Sequence, residues 1–239
     1  MKTSLTRRDF VTTAAVGATA LTFTARSYAR ITGANDRIRI AQIGCGGRGR
    51  LAHMDGVHKH DAEQNVEFVA VSDPWRLARE EAAAMCKEWY GTQVRQFSSY
   101  RDILACKDVD AVMIASPDHH HAIQLEATAK AGKHVYVEKS MARNMQELTA
   151  AVDAVKAAKI VVQVGTQTRS LPVMTGCHEL WKSGLLGKAS RIEQCRNSEK
   201  PYWYGYVKAH LPKSADIKQE DVDWKEFLGN APQRPFSSD

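Results

Sequence analysis

The sequence predicts an α/β fold, a doubly wound parallel sheet followed by the start of an incomplete α+β domain. Three observations point there. Short, nearly continuous apolar runs recur along the chain, as strands buried on both faces of a parallel sheet require. Helical stretches separate them, so each strand returns to the next through a crossover unit. Caps and glycines stand where those helices should begin and end. With 239 residues, 44% hydrophobic and 25% charged, the chain can build one full core and part of another, which excludes disordered and disulfide-scaffold classes.

Taken in order, Ile38, Ile40, Ala41 and Ile43 make the first strand, which runs into a cluster of glycines. Residues 66–71 make the second, 111–115 the third, 134–137 the fourth and 160–164 the fifth. Between them, Arg50 to Met54 reads as a helix start. Ala78, Ala82, Met85 and Trp89 form a helical stripe that Gly91 can cap in the left-handed conformation. Ser99 with Asp102 opens a short helix, His121 to Ala131 forms another ending at Gly132, and Asn144 with Glu147 opens the stripe Leu148, Ala151, Val152, Val155. Beyond about residue 166 the pattern thins to one helix (174–183), one strand (189–196), an aromatic loop and a polar tail.

Residues 1–29 stand apart. Lys2, Arg7, Arg8 and Arg26 against Asp9 hold half of the net charge of +6, and an apolar stretch from Val11 to Ala25 leads to the small residues Ser27 and Ala29. This resembles a twin-arginine (Tat) signal with a cut after Ala29, and implies export of a folded protein to the periplasm. The rest is only mildly basic, with no Lys/Arg run suited to a nucleic-acid backbone and no further segment long enough for stable membrane insertion. Five widely spaced cysteines suggest neither a disulfide framework nor a metal site.

The most informative turn is Gly44, Cys45, Gly46, Gly47, Arg48, Gly49. It satisfies the GxGxxG pattern, follows a strand and opens a crossover unit, the context in which that pattern signals a Rossmann-type dinucleotide site over residues 35–165. Gly44 permits the tight turn, Gly46 lets the backbone approach a pyrophosphate, and Gly49 allows close helix packing. Asp73, at the end of the second strand, can accept hydrogen bonds from ribose hydroxyls, which favours NAD; Arg76 keeps NADP open. The plainer alternative for Asp73 is a helix cap ahead of Pro74.

Further on come Ser116, Pro117, Asp118 and His121, then Ala131, Gly132, Lys133, His134, Val135, Tyr136, Val137, Glu138 and Lys139. Gln163, Gly165, Thr166 and Gln167 follow the fifth strand, and Trp224 to Pro235 close the chain. Together these stretches resemble the Gfo/Idh/MocA family of oxidoreductases, whose relatives include glucose-fructose oxidoreductase and inositol dehydrogenase. The resemblance implies a nicotinamide dinucleotide across Gly44, Gly46, Gly47, Arg48 and Gly49, with Asp73, Ser116, Pro117, Glu138 and Gln167 in contact with it. It implies catalytic roles for Lys139, Glu138 and His121. Removing a hydroxyl proton as hydride leaves carbon calls for a base, and an unperturbed lysine, with a pKa of about 10.4, must be tuned by burial or charge to serve. A solvated strand-end ion pair is the alternative for Glu138 and Lys139. Ser140 replaces the family's proline, leaving the lysine less restrained.

His119, His120 and His121 invite a metal reading, but adjacent ligands on a short loop cannot all face one ion. No metal is expected. Tyr202 and Trp203, within PYWYGY, suit stacking on a sugar ring as well as they suit packing, and Gln167 and Arg169 stand where substrate hydroxyls could be reached. Residues 166–239 read as the beginning of the family's second domain, and the histidine that domain supplies has no counterpart here. The expectation is therefore a C-terminally truncated, NAD(P)-dependent oxidoreductase of a small carbohydrate-like alcohol, homo-oligomeric in a full-length form. An NAD-dependent glycosidase of the same family and a non-catalytic dinucleotide-binding module are the rivals.

Overall fold

A computed structural model of the chain describes residues 37–193, 195 and 217–237. Six strands form one parallel sheet: β1 (Ile38–Ile43), β2 (Val66–Ser72), β3 (Arg95–Phe97), β4 (Ala111–Ile114), β5 (His134–Glu138) and β6 (Val162–Gly165). Their order is β3-β2-β1-β4-β5-β6, a doubly wound Rossmann arrangement whose order reverses between β1 and β4. The five strands expected before residue 166 all form. The sixth, β3, has three residues and carries no apolar run that periodicity could detect.

A π-helical turn, Gly49–Met54, leaves the glycine loop and continues as α1 (Asp55–His58), with α2 (Asp61–Gln64) before β2. The other helices are α3 (Arg76–Tyr90), α4 (Tyr100–Ala105), α5 (His121–Lys130), α6 (Met145–Ala158), α7 (Pro172–Lys182) and α8 (Trp224–Leu228). Gly91 ends α3 at φ +70°, the Ser99 side chain caps α4, and Asn144 Oδ1 accepts from Glu147 N at 2.8 Å to start α6.

Alternation along the strands sends side chains into two apolar layers. Ala41, Ile43, Val112, Ile114, Val135 and Val137 face Ile103, Leu125 and Ala151 on one side. Phe68 and Val71 face Met54, Ala82, Ala83 and Cys86 on the other. Small residues on α3 (Ala78, Ala82 and Ala83) are buried in this second layer together with Cys45 of the glycine turn.

The expected strand 189–196 does not form: residues 189–193 have no regular structure, and 194 and 196 lie outside the described residues. A strand persists only where a neighbour takes its backbone hydrogen bonds, and none of the described strands lies beside it. Residues 1–29, Tyr202 and Trp203 also lie outside the described residues. Among the described residues, no helix is long and apolar enough to cross a membrane.

Candidate dinucleotide site

A cleft of about 380 Å³ opens at the carboxyl ends of the strands, where the sheet order reverses. Gly44, Gly46, Gly47 and Arg48 line one side, Asp73 to Trp75 the next, and Ser116 and Pro117 a third. Open α/β sheets bind ligands at this position because the loops diverge on either side of the switch.

The three motif glycines differ in what demands them. Gly44 has φ +83°, and a Cβ there would lie 2.5 Å from Ser116 N. A Cβ on Gly49 would collide with the Gly44 carbonyl at 2.0 Å. Both are imposed by the fold itself. Gly46 faces open space, with nothing within 4 Å of where a Cβ would stand, and it lines the cleft. No neighbour in the protein requires that glycine, so the residues fit a pyrophosphate lying against the loop and the N-terminus that follows it.

Asp73 closes the loop from below. Its Oδ2 accepts from Cys45 N at 2.7 Å and its Oδ1 from Trp75 N at 2.8 Å, leaving lone pairs toward the cleft. Burial pushes its carboxyl above the ordinary value, against the pull of these two backbone N–H groups and of Arg79. Arg76 does not line the cleft: it pairs with Glu80 (2.9 Å) and Asp221 (2.5 Å).

A second cluster joins the glycine loop to β5. Glu138 is buried, and its Oε1 accepts from Arg48 Nε (2.7 Å) and Nη2 (2.6 Å) and from His53 Nε2 (2.9 Å). Burial alone would raise this carboxyl; the bonds from His53 and Arg48 outweigh it and hold the group below its ordinary range. Burial lowers His53, so the neutral ring donates to the carboxylate. The Gln167 side-chain amide, oriented by its neighbours, accepts from Arg48 at 2.9 Å and donates to the Gly165 carbonyl. Tyr136 meets His53 edge-on at 5.0 Å. Arg48, Glu138 and Gln167, far apart in the chain, thus form one network. Arg169 and Gln167 line a neighbouring recess of about 530 Å³ with Tyr136 and Gln163.

Lys139 follows Glu138 and is exposed; its backbone N lies 3.2 Å from Glu138 Oε2, and the Lys139–Ser140 peptide is cis. His121 is not an open acid or base. It is buried, with Nδ1 2.7 Å from the Ser140 carbonyl and Nε2 2.7 Å from the Ser116 carbonyl, so it ties the loop after β4 to the loop after β5. His119 and His120 both turn to the Phe227 carbonyl, at 3.2 and 2.7 Å. His121 thus points away from the other two, which share one carbonyl, and among the described residues no group of His, Cys, Asp and Glu is arranged for a metal ion.

Four residues escape the sequence reading. Gln42 is fully buried in β1 and donates to the Gly44 carbonyl at 3.0 Å, holding the turn; a glutamine inside an apolar strand is its signal. His53 carries no signal of its own. Glu226 and Phe227 line the cleft from a segment more than 100 residues beyond the sheet's switch point.

Known proteins share these features. A family model described as an oxidoreductase family with an NAD-binding Rossmann fold matches residues 38–166. Inositol 2-dehydrogenase of Rhizobium meliloti is 26% identical over 191 residues, 80% of this chain and 54% of that protein. A glycosyl hydrolase family 109 protein of Shewanella is 35% identical over 123 residues, 49% of this chain and 26% of its own. Among solved structures, the WlbA dehydrogenase of Bordetella pertussis, in complex with NADH and UDP-GlcNAcA, superimposes with a TM-score of 0.54 at 28% identity, over 63% of this chain and 44% of that one. The chain spans about half the length of the curated relatives it matches. Matched over more than half its residues, from the glycine turn through Asp73 to Glu138 and Lys139, the chain belongs to the Gfo/Idh/MocA oxidoreductase family with its NAD-binding Rossmann fold.

Proposed function

We propose that the protein is an NAD-dependent oxidoreductase of a sugar or polyol-like alcohol, in which Lys139 moves the hydroxyl proton. One observation carries the reading: Arg48 of the glycine loop is paired with Glu138, the residue before Lys139, so the dinucleotide cradle and the lysine belong to one site. Gly46 and Gly47 would take the pyrophosphate on their backbone, Asp73 the adenosine ribose, and Ser116, Pro117 and Gln167 would flank the cofactor. When bound, the dinucleotide supplies the hydride acceptor. Lys139 Nζ would take the proton of the substrate hydroxyl as hydride leaves the same carbon for the dinucleotide. Glu138, fixed by Arg48 and His53, orients the strand end that carries the lysine, and His121 acts as a positioning residue by clamping the two loops. Arg169 and Gln167 stand on the side where substrate hydroxyls would lie.

Inositol 2-dehydrogenase and the NADH-bound WlbA dehydrogenase support this reading. A second reading is favoured by the likeness to the glycosyl hydrolase over 123 residues: the same site used for glycoside cleavage with no net oxidation. Purified protein incubated with free sugars or polyols plus NAD, and separately with an aryl glycoside, distinguishes them. Oxidoreduction is expected as substrate-dependent NADH absorbance; release of the aryl alcohol without NADH accumulation would replace it with the glycosidase. Tat-dependent export to the periplasm and homo-oligomerisation of a full-length form complete the proposal, the first resting on Arg7, Arg8 and the apolar run that follows.

A further inference from the structure

The cleft is not closed by the sheet's own loops alone. Residues 217–237 return to the carboxyl ends of β2, β3 and β4 as a strap made of a 3-10 turn (Gln219–Asp221), a bridge between Val222 and Trp75, and α8. Each of those three strand ends grips it. After β2, Pro74 O accepts from Asp223 N at 2.9 Å, and Arg76 donates to Asp221 Oδ1 at 2.5 and 3.2 Å. After β3, Ser98 Oγ donates to Asp223 (3.0 Å), Ser99 Oγ to Glu226 (2.9 Å) and Arg101 to the same carboxylate (3.1 Å). After β4, His120 Nε2 donates to the Phe227 carbonyl at 2.7 Å. The fit at the end of the strap is close: a Cβ on Gly229 would come within 2.6 Å of the His120 ring.

This docking puts Phe227 and Glu226 in the wall of the cleft, with Asp73, Ser98 and Tyr100. Charge divides the cleft. Arg48 brings a positive charge from the glycine turn, where a pyrophosphate belongs, whereas Asp73, from the end of β2, and Glu226, from the strap, bring negative ones. Of the cations on α3 near Asp73, Arg79 is spent on the Asp73 carbonyl, and Arg76 is engaged by two carboxylates, one from its own helix and one from the strap.

We infer that the strap is part of the dinucleotide site. Phe227 covers the adenosine end, and Asp221 together with Glu80 withholds Arg76 from the ribose edge, so that the site takes NAD in preference to NADP. The inference rests on the NAD reading above and adds its determinants. An aromatic face over adenine excludes water from one side of the base. A ribose edge ringed by carboxylates repels a dianionic phosphate unless a guanidinium is free to pair with it.

Calorimetry with NAD and with NADP, checked by quenching of the fluorescence of Trp75 and Trp224, tests both parts on the full chain. Phe227→Ala should weaken NAD about tenfold or more, as truncation of an aromatic anchor does, while Lys225→Ala on the exposed side of α8 leaves it unchanged. Glu80→Gln with Asp221→Asn should strengthen NADP about fivefold relative to NAD, and adding Arg76→Ala should abolish that gain. Phe227→Leu, which keeps an apolar contact, should fall between wild type and Phe227→Ala. If Phe227→Ala proves unfolded by circular dichroism, the NADP to NAD ratio of the Glu80 and Asp221 variant decides. Wild-type affinity for NAD retained in Phe227→Ala, with an unaltered NADP to NAD ratio in the charge variant, overturns the inference and leaves the NAD reading standing. A wild-type chain that takes up neither dinucleotide removes both.

Discussion

Replacing Gly46 by alanine should weaken cofactor binding without harming the fold, while the same change at Gly44 should do the reverse of what a motif-wide rule expects and damage stability first. At Gly44 the methyl meets backbone atoms of Ala115 and Ser116 at 2.5–2.8 Å, and φ is +83°. The left-handed conformation costs a non-glycine residue about 1–2 kcal/mol, and forcing extra volume into a packed contact costs about 1–3 kcal/mol more. Gly44→Ala should therefore lose roughly 2–5 kcal/mol, which lowers Tm by about 4–20 °C for a domain of this size. At Gly46 the methyl meets nothing, and alanine restricts the unfolded chain, so stability should hold or rise by up to about 1 kcal/mol. The methyl does occupy the surface a pyrophosphate would touch, so Kd for NAD should rise by at least about tenfold, or ~1.4 kcal/mol. Thermal unfolding followed by circular dichroism and calorimetric titration with NAD separate the two effects. Undiminished NAD affinity in a folded Gly46→Ala would refute the placement of the phosphates, and an equal loss of Tm in both variants would refute the distinction between the glycines.

Lys139→Met should leave the Kd for NAD within about a factor of two while lowering turnover of a confirmed alcohol substrate by about 10²-fold or more, as loss of a proton-transfer group does; equal losses in both would reassign the lysine to binding. Arg48→Ala leaves a buried Glu138 with only His53 and the Lys139 backbone N–H. Because Arg48 helps hold that carboxyl low, its contribution is present above the unfolded value of about 4.5 and is lost as pH falls through the folded one, so the variant should begin acid unfolding at higher pH than wild type. His120 gives the opposite kind of test. Burial brings it down to about 4, the unfolded chain then binds the extra proton, and stability should fall as pH drops from about 6.5 toward that value, by at most about 3 kcal/mol. In His120→Ala, denaturant titrations across this window should show a shallower decline, and an unchanged slope would mean that another group carries it.

The fold was legible to the extent that its signals are local. Residues of β1, β2, β4, β5 and β6 announce themselves because a strand covered on both faces has few polar positions, and Gly91, Ser99 and Asn144 mark helix ends through bonds to their own neighbours. The three residues of β3 read as loop because Arg95, Gln96 and Phe97 owe their extended conformation to pairing with Ala70, Val71 and Ser72, a partner 25 positions away. The reverse error at residues 189–193 has the same cause: apolar alternation is a request for a partner, and without one it does not make a strand.

The site divides along the same line. The glycines and Asp73 could be placed because their chemistry is written within one crossover unit, and Glu138 because it ends a strand. The role of His121 could not, since the carbonyls that occupy its ring come from Ser116 and Ser140, brought together only when β4 and β5 pair. Nor could the place of the strap, whose Trp224 to Pro235 stretch carries a resemblance but no sign of which strand ends it meets. Its meaning lies in where Asp221, Asp223, Glu226 and the Phe227 carbonyl land, one after another, on the loops that follow β2, β3 and β4. A segment held at four points across the mouth of a cleft must be displaced, or must contribute, whenever something as long as a dinucleotide lies along that cleft. Since Phe227 and Glu226 already form its wall, contribution needs no rearrangement, and displacement would forfeit every one of those bonds.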